Sequence, residues 1–151
     1  MLVGPAKSKL LYEPLGVVAI MGSWNFPVYT TLAPLIYVIA AGNTALIKPS
    51  EIAPNSSFVI KELCKAYLDP YSYICIEGQI KVAQYIPTRK FDGLCFTGSP
   101  EKGKMVAQAA AQNLIPCVLE LGGKCPFIVD SDADIEFAAK KVAFSKFGNA
   151  G

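Results

Sequence analysis

Gly16-Val17-Val18-Ala19-Ile20-Met21-Gly22-Ser23-Trp24-Asn25-Phe26-Pro27 is the stretch on which the fold turns. Its first half is short, apolar and rich in β-branched residues, the composition of a strand. Its second half closes on Pro27, whose fixed φ and missing N–H suit the first position of a helix. Strand-like runs recur at Thr44–Ile47, Tyr73–Ile76, Gly93–Phe96, Cys117–Leu121 and Phe127–Val129. Between them, apolar residues returning every three or four positions predict helices over Pro27–Ala41, Asn55–Tyr67, Ile80–Tyr85, Glu101–Gln112 and Ile135–Phe147. Asn55 or Ser56, Ser99-Pro100, and Asp132 or Asp134 are the expected start signals of the later helices. Strands alternating with helices imply parallel βαβ units, hence an α/β fold with a Rossmann-like parallel sheet flanked by helices.

Composition narrows the function. The 151 residues are 52% hydrophobic and 17% charged, which describes a packed core. Net charge is +2, with Lys and Arg scattered among Asp and Glu, so there is no basic stripe and nucleic acid is not an expected partner. Five cysteines form an odd set without a Cys-x-x-Cys pair, and the chain has no histidine, so no metal is expected. Cys64, Cys75, Cys95 and Cys117 sit among apolar neighbours and read as small hydrophobes; Cys125 is also assigned a structural role. Cysteine usage of this kind points to an intracellular, reducing compartment, with the cytoplasm expected first and the mitochondrion second. The N-terminus lacks the basic start and apolar core of a secretory signal. The apolar run Val28–Ala41 contains Pro34 and is short of the roughly 20 residues a spanning helix needs, so it reads as a buried helix. There is no internal repeat, low-complexity tract or Gly/Ser linker.

Four segments carry the chemistry: Gly22-Ser23-Trp24-Asn25-Phe26-Pro27, Lys48-Pro49-Ser50-Glu51, Phe96-Thr97-Gly98-Ser99 and Leu119-Glu120-Leu121-Gly122-Gly123-Lys124. Each has a plain reading: an Asn-stabilised aromatic turn, a solvated capping loop, a weak Gly-x-x-x-x-Gly spacing that is not a dinucleotide fingerprint, and a strand-end Glu120 paired with Lys124. Taken together and in this order, with Lys146-Phe147-Gly148-Asn149-Ala150-Gly151 after them, they resemble the aldehyde dehydrogenase superfamily, in its class 3 flavour. The resemblance covers nearly the whole chain. It implies an incomplete cofactor domain of that family, with residues 1–121 as the NAD(P)-binding core and residues 122–151 as the start of a catalytic domain.

The same resemblance supplies roles. Oxidation of an aldehyde through an enzyme thiol creates a tetrahedral adduct with a negative oxygen, and Asn25 is the expected amide donor to it. Lys48 and Glu51 are expected to hold the adenosine ribose, with Trp24 and Ser50 beside them in the cofactor site. Gly98, Ser99 and Gly103 are expected at the pyrophosphate, on a helix start with exposed N–H groups, where Lys102 and Lys104 add positive charge. Glu120, an acid inside the run Val118-Leu119-Glu120-Leu121, is expected to be partly desolvated and to serve as general base for thioester hydrolysis; a second carboxylate outside the chain is the other class 3 candidate. Leu121 and Gly122 are placed at the nicotinamide, where Gly122 and Gly123 allow close backbone approach.

The implied reaction is NAD- or NADP-dependent oxidation of an aldehyde to a carboxylic acid by a full-length homo-oligomeric enzyme. In the family the nucleophilic cysteine follows the Asn149-Ala150-Gly151 stretch, so this chain is expected to be an inactive cofactor-binding fragment. The competing expectation is a short, non-catalytic paralogue acting as a binding or structural subunit of a larger assembly, motivated by the methionine that opens the chain.

Overall fold

The computed structural model describes Gly4 and residues 7–148. The expectations attached to residues 149–151 as a lead-in to a cysteine, and to residues 1–3, 5 and 6 at the N-terminus, fall outside the described residues. The chain divides between Leu121 and Gly122 into two compact units.

The first unit is built on five parallel strands: β1 (Val17–Met21), β2 (Thr44–Lys48), β3 (Tyr73–Cys75), β4 (Gly93–Gly98) and β5 (Cys117–Leu121). Their order across the sheet is β3-β2-β1-β4-β5. The chain therefore grows outward from β1 through α1 (Pro27–Ala40) and α2 (Pro54–Tyr67), then returns to the other side of β1 through α3 (Ile80–Tyr85) and a 3-10 turn, Ile86–Thr88. A last crossover, α4 (Pro100–Ala111), leads to β5. Right-handed crossovers in opposite directions put the helices on opposite faces. On one face Val18, Ile20, Ala45 and Ile47 pack with Leu35 of α1 and Ile60 of α2. On the other, Ala19, Met21, Leu94 and Phe96 pack with Ile86 and with Val106 and Ala110 of α4. Residues of alternate parity in the inner strands β1, β2 and β4 feed the two layers, which explains why those strands read as continuous apolar runs. This is the Rossmann-like parallel sheet that the alternation implies.

Side-chain caps open α4 and α5, and proline opens α1 and α2. Ser99 caps α4, its Oγ accepting from the Lys102 N–H at 3.3 Å, and Pro100 takes the first turn. Asp134 caps α5 (Ile135–Phe147) in the second unit, accepting from the Phe137 N–H at 3.0 Å. For α2 the expected caps Asn55 and Ser56 lie inside the helix: Pro54 opens it and Ala53 precedes it without a side-chain cap, because proline already supplies the helical φ and lacks one of the orphan donors.

Two expectations are corrected. Phe127–Val129 is not a strand: the segment has no ladder partner among the described residues, and an apolar run becomes a strand only when a neighbouring backbone completes its hydrogen bonds. The Val28–Ala41 run is not a buried helix either. Only Thr31 and Leu35 of α1 are buried, while Tyr29, Ile36 and Tyr37 are exposed, because a helix on one sheet face covers one stripe and no more. In the second unit no residue of α5 is buried; the helix carries a Glu136–Lys140 pair one turn apart, and Lys146 Nζ donates to the Cys125 carbonyl at 2.6 Å.

Candidate functional site

Strand register brings the four chemistry-bearing segments to one edge. Met21 of β1 is level with Lys48 of β2 and with Phe96 of β4, which in turn is level with Leu119 of β5. One residue further on, Thr97 is level with Glu120, and Gly22 and Pro49 follow the paired ends of β1 and β2 at the carboxyl end of the sheet. The direction of chain growth reverses between β1 and β4, and in open α/β sheets that switch point opens the crevice where ligands bind.

The loop after β1 is held by a compact polar network. The Gly22 N–H donates to the Lys48 carbonyl at 3.0 Å and extends the β1–β2 ladder past the strand end. The Ser23 N–H donates to Thr30 Oγ1 at 2.9 Å, Thr30 Oγ1 donates to the Phe26 carbonyl at 3.0 Å, and Ser23 Oγ donates to Asn25 Oδ1 at 2.7 Å. Ser23 is buried, whereas Trp24 and Asn25 are exposed on the loop. A side chain at position 22 has no room, since its Cβ would stand 2.1 Å from Thr31 Oγ1.

The loop after β2 presents a paired ammonium and carboxylate. Lys48 is only 3% exposed, and its Nζ donates to the Pro49 carbonyl at 2.9 Å and to Glu51 Oε2 at 2.5 Å. Burial alone would raise the Glu51 carboxyl, but the hydrogen bond and charge of Lys48 outweigh it and hold the group below the usual carboxylate range. Ser50 is buried and its Oγ accepts from the Ile52 N–H at 3.3 Å, which keeps the loop turned back over the strand end. A carboxyl lowered on folding stabilises the fold above the ordinary carboxylate range, and that contribution disappears as pH falls through the folded value. Glu51→Gln should therefore cost about 1–2 kcal/mol near neutral pH, with the two proteins converging in stability as acid protonates the native carboxylate. Urea unfolding of both chains across that range checks it, and an equal difference at every pH would contradict it.

The loop after β4 leads directly into α4. Ser99 caps the helix as described, and the Gly103 N–H donates to the Ser99 carbonyl at 2.9 Å. Gly103 itself faces the sheet, not the loop: a Cβ there would stand 2.5 Å from Leu121 Cδ2, so the glycine lets α4 lie close on the end of β5. Lys102 lies 3.6 Å from Glu101, which offsets part of the positive charge expected there.

At β5 the structure corrects the expected environment of Glu120. It is exposed on the outermost strand and not partly desolvated, since the side chains of α4 pack against Cys117 and Leu119, the other parity, and no helix of the first unit covers the face of Val118 and Glu120. Glu120 still shares a face with Cys95, whose thiol is pushed up first by burial and then by the Glu120 charge. Leu121 is half-exposed over Gly103, and Gly122 belongs to the second unit.

None of the cysteines is a prepared nucleophile facing this edge. Cys64 and Cys75 lie within the core layer of α2 and β3, Cys117 is raised by burial, and Cys125 is exposed in the second unit. Among the described residues no cluster of His, Cys, Asp or Glu could hold a metal ion, and no helix is long and apolar enough to cross a membrane. The contributions of Ser23 and Thr30 went unassigned in the sequence, although the Ser23-x-Asn25 spacing is the kind that forms local side-chain turns.

Fold and edge together define an open parallel α/β module with its switch point at the carboxyl edge. The family model described as "Aldehyde dehydrogenase family" matches residues 5–151, and the chain belongs to that family. Within it the chain is class 3-like: it is 41% identical to aldehyde dehydrogenase family 3 member A2 of Rattus norvegicus over 97% of its own length. It is 48% identical, again over 97% of its length, to 4,4'-diaponeurosporen-aldehyde dehydrogenase of Staphylococcus aureus. The chain spans 32% of each of these relatives. Among solved structures, a substrate-bound Staphylococcus aureus AldH superposes with a TM-score of 0.88 at 48% identity, over 92% of this chain and 30% of that one. An aldehyde dehydrogenase C variant from Pseudomonas syringae in complex with NAD+ and octanal gives 0.83 at 36% identity, over 92% and 29%.

Proposed function

We propose that this chain is the cofactor-binding part of a longer enzyme that oxidises an aldehyde to a carboxylic acid with NAD or NADP. The observation that carries the reading is the single register row at the carboxyl edge, where the segments after β1, β2 and β4 and at the end of β5 converge. The donor set fits a dinucleotide. Lys48 offers an ammonium and Glu51 a carboxylate side by side, a donor and an acceptor for the hydroxyls of a ribose diol. The start of α4, with Gly98 before it and Ser99 capping it, offers backbone N–H groups to a pyrophosphate. Gly103 would serve that site by keeping α4 close to β5, and Trp24, Ser50 and Leu121 would complete its walls.

When bound, the nicotinamide supplies the acceptor for the aldehyde hydride. Asn25 donates a hydrogen bond to the oxygen that becomes negative when a thiolate adds to the aldehyde carbon. Glu120, exposed on the outer strand, takes the proton from the water that hydrolyses the acyl thioester. Residues 122–151 would begin the catalytic domain, whose cysteine supplies the thiolate, so the 151 residues alone would not turn over. The exposed apolar side chains of α1 and the uncovered Val118 support a larger assembly, since isolated soluble domains seldom present so much apolar surface. The enzyme would work as a homo-oligomer in a reducing compartment, with the cytoplasm expected first and the mitochondrion second.

The test is an assay of the full-length protein with short, medium and aromatic aldehydes and each nucleotide in turn. One reduced nucleotide per carboxylic acid formed is the expected result. A folded full-length protein that reduces neither nucleotide with any of these aldehydes would refute the reading.

A further inference from the structure

We infer that Ser23 is a positioning residue for Asn25, fixing which end of the Asn25 amide is turned to the reacting oxygen. The inference rests on the reading of Asn25 as the amide donor.

An asparagine side chain ends in a planar amide with an acceptor at one end and two donors at the other, and rotation about its last torsion is broad and roughly two-fold. An amide meant to stabilise an anion must present nitrogen; presenting oxygen to the same anion is repulsive. The hydrogen-bond directions in the β1–α1 loop settle the choice. Thr30 Oγ1 spends its proton on the Phe26 carbonyl at 3.0 Å and receives the Ser23 N–H at 2.9 Å. The Ser23 hydroxyl donates to Asn25 Oδ1 at 2.7 Å, closer than its 3.2 Å contact with Thr30 Oγ1. With Oδ1 engaged by Ser23, Nδ2 is the end of the amide turned away from Ser23. The anchor is itself rigid: Ser23 is 7% exposed, Gly22 before it is bonded to the Lys48 carbonyl, and Thr30 lies in the first turn of α1. A bond between residues two apart in a loop held at both ends costs little further ordering, so it acts on orientation more than on stability.

The experiment is a double-mutant cycle in the full-length enzyme with Ser23→Ala, Asn25→Ala and the combined variant, reading kcat and KM separately for aldehyde and nucleotide. Ser23→Ala should lower kcat on the order of tenfold, as small misplacements of a catalytic group do, with both KM values little changed. In the Asn25→Ala background it should have no further effect. Ser23→Gly, which also removes the hydroxyl, should repeat the result and serves if the alanine variant does not fold. An unchanged kcat in Ser23→Ala alongside a large loss in Asn25→Ala would overturn the positioning role while sparing Asn25. The same fractional loss in both backgrounds would overturn it too, because Ser23 would then act independently of Asn25. No loss in Asn25→Ala itself would instead sink the donor reading on which the inference stands.

Discussion

Asn25→Ala in the full-length enzyme is expected to lower kcat by about 100- to 1000-fold, the range measured when one preorganised donor is removed from a site where oxygen becomes negative. The size follows from timing. A hydrogen bond made only when charge develops stabilises the transition state and leaves the bound aldehyde almost unaffected, so the loss should fall on kcat and spare KM. The fold supports such a role by placing Asn25 on a short loop between the buried end of β1 and the first turn of α1, with its amide oxygen already held by Ser23. Steady-state kinetics with a saturating nucleotide check it. A parallel rise in KM for the aldehyde at constant kcat would show that Asn25 merely binds substrate.

The second large effect concerns stability. Ile20→Ala should destabilise the fold by about 3–4 kcal/mol, and Ile20→Val by about 1 kcal/mol, as deletions from a packed core do. Ile20 is 1% exposed and sits in β1, the strand flanked on both sides, level with Ile47 of β2 and Cys95 of β4. It packs in the layer that includes Leu35 of α1 and Ile60 of α2, so the cavity would open between sheet and two helices that are anchored elsewhere and cannot simply close over it. Against a typical total of about 5–15 kcal/mol, this is enough to populate unfolded chain at moderate temperature. Denaturant unfolding measures it, and a loss under about 1 kcal/mol for the alanine variant would mean that the layer relaxes into the gap.

Much of this architecture is visible in the residues themselves. Strands β1 to β5 were legible because each is a short apolar run, and β1, β2 and β4 feed two covered faces, a pattern that helices on one side alone do not produce. Helices α3 and α5 match their expected bounds, and α1 ends one residue early, at Ala40. Phe127–Val129 has the composition of a strand and none of its hydrogen bonds, since composition sets what a segment can bury and not whether a neighbour is there to pair with it. The α1 helix shows the same limit. Its near-continuous apolarity identifies a helix, while its exposed tyrosines show that apolarity alone does not say how many sides are covered.

At the candidate site the division is sharper. The order and spacing of the motifs, and through them the family, are properties of the chain read as a string, because each motif is local and its residues are neighbours. The sequence by itself therefore determined the α/β class, the position of Asn25 before a helix, and the nearness of Lys48 to Glu51. Only the tertiary structure decided that Glu120 is exposed on an edge strand, that Gly103 answers to Leu121 across a helix–strand contact, and that Ser23 and Thr30 orient the Asn25 amide. The physical reason is that burial, close approach and the direction of a hydrogen bond depend on which elements meet, and sheet order and register, which set those meetings, act between residues far apart in the chain.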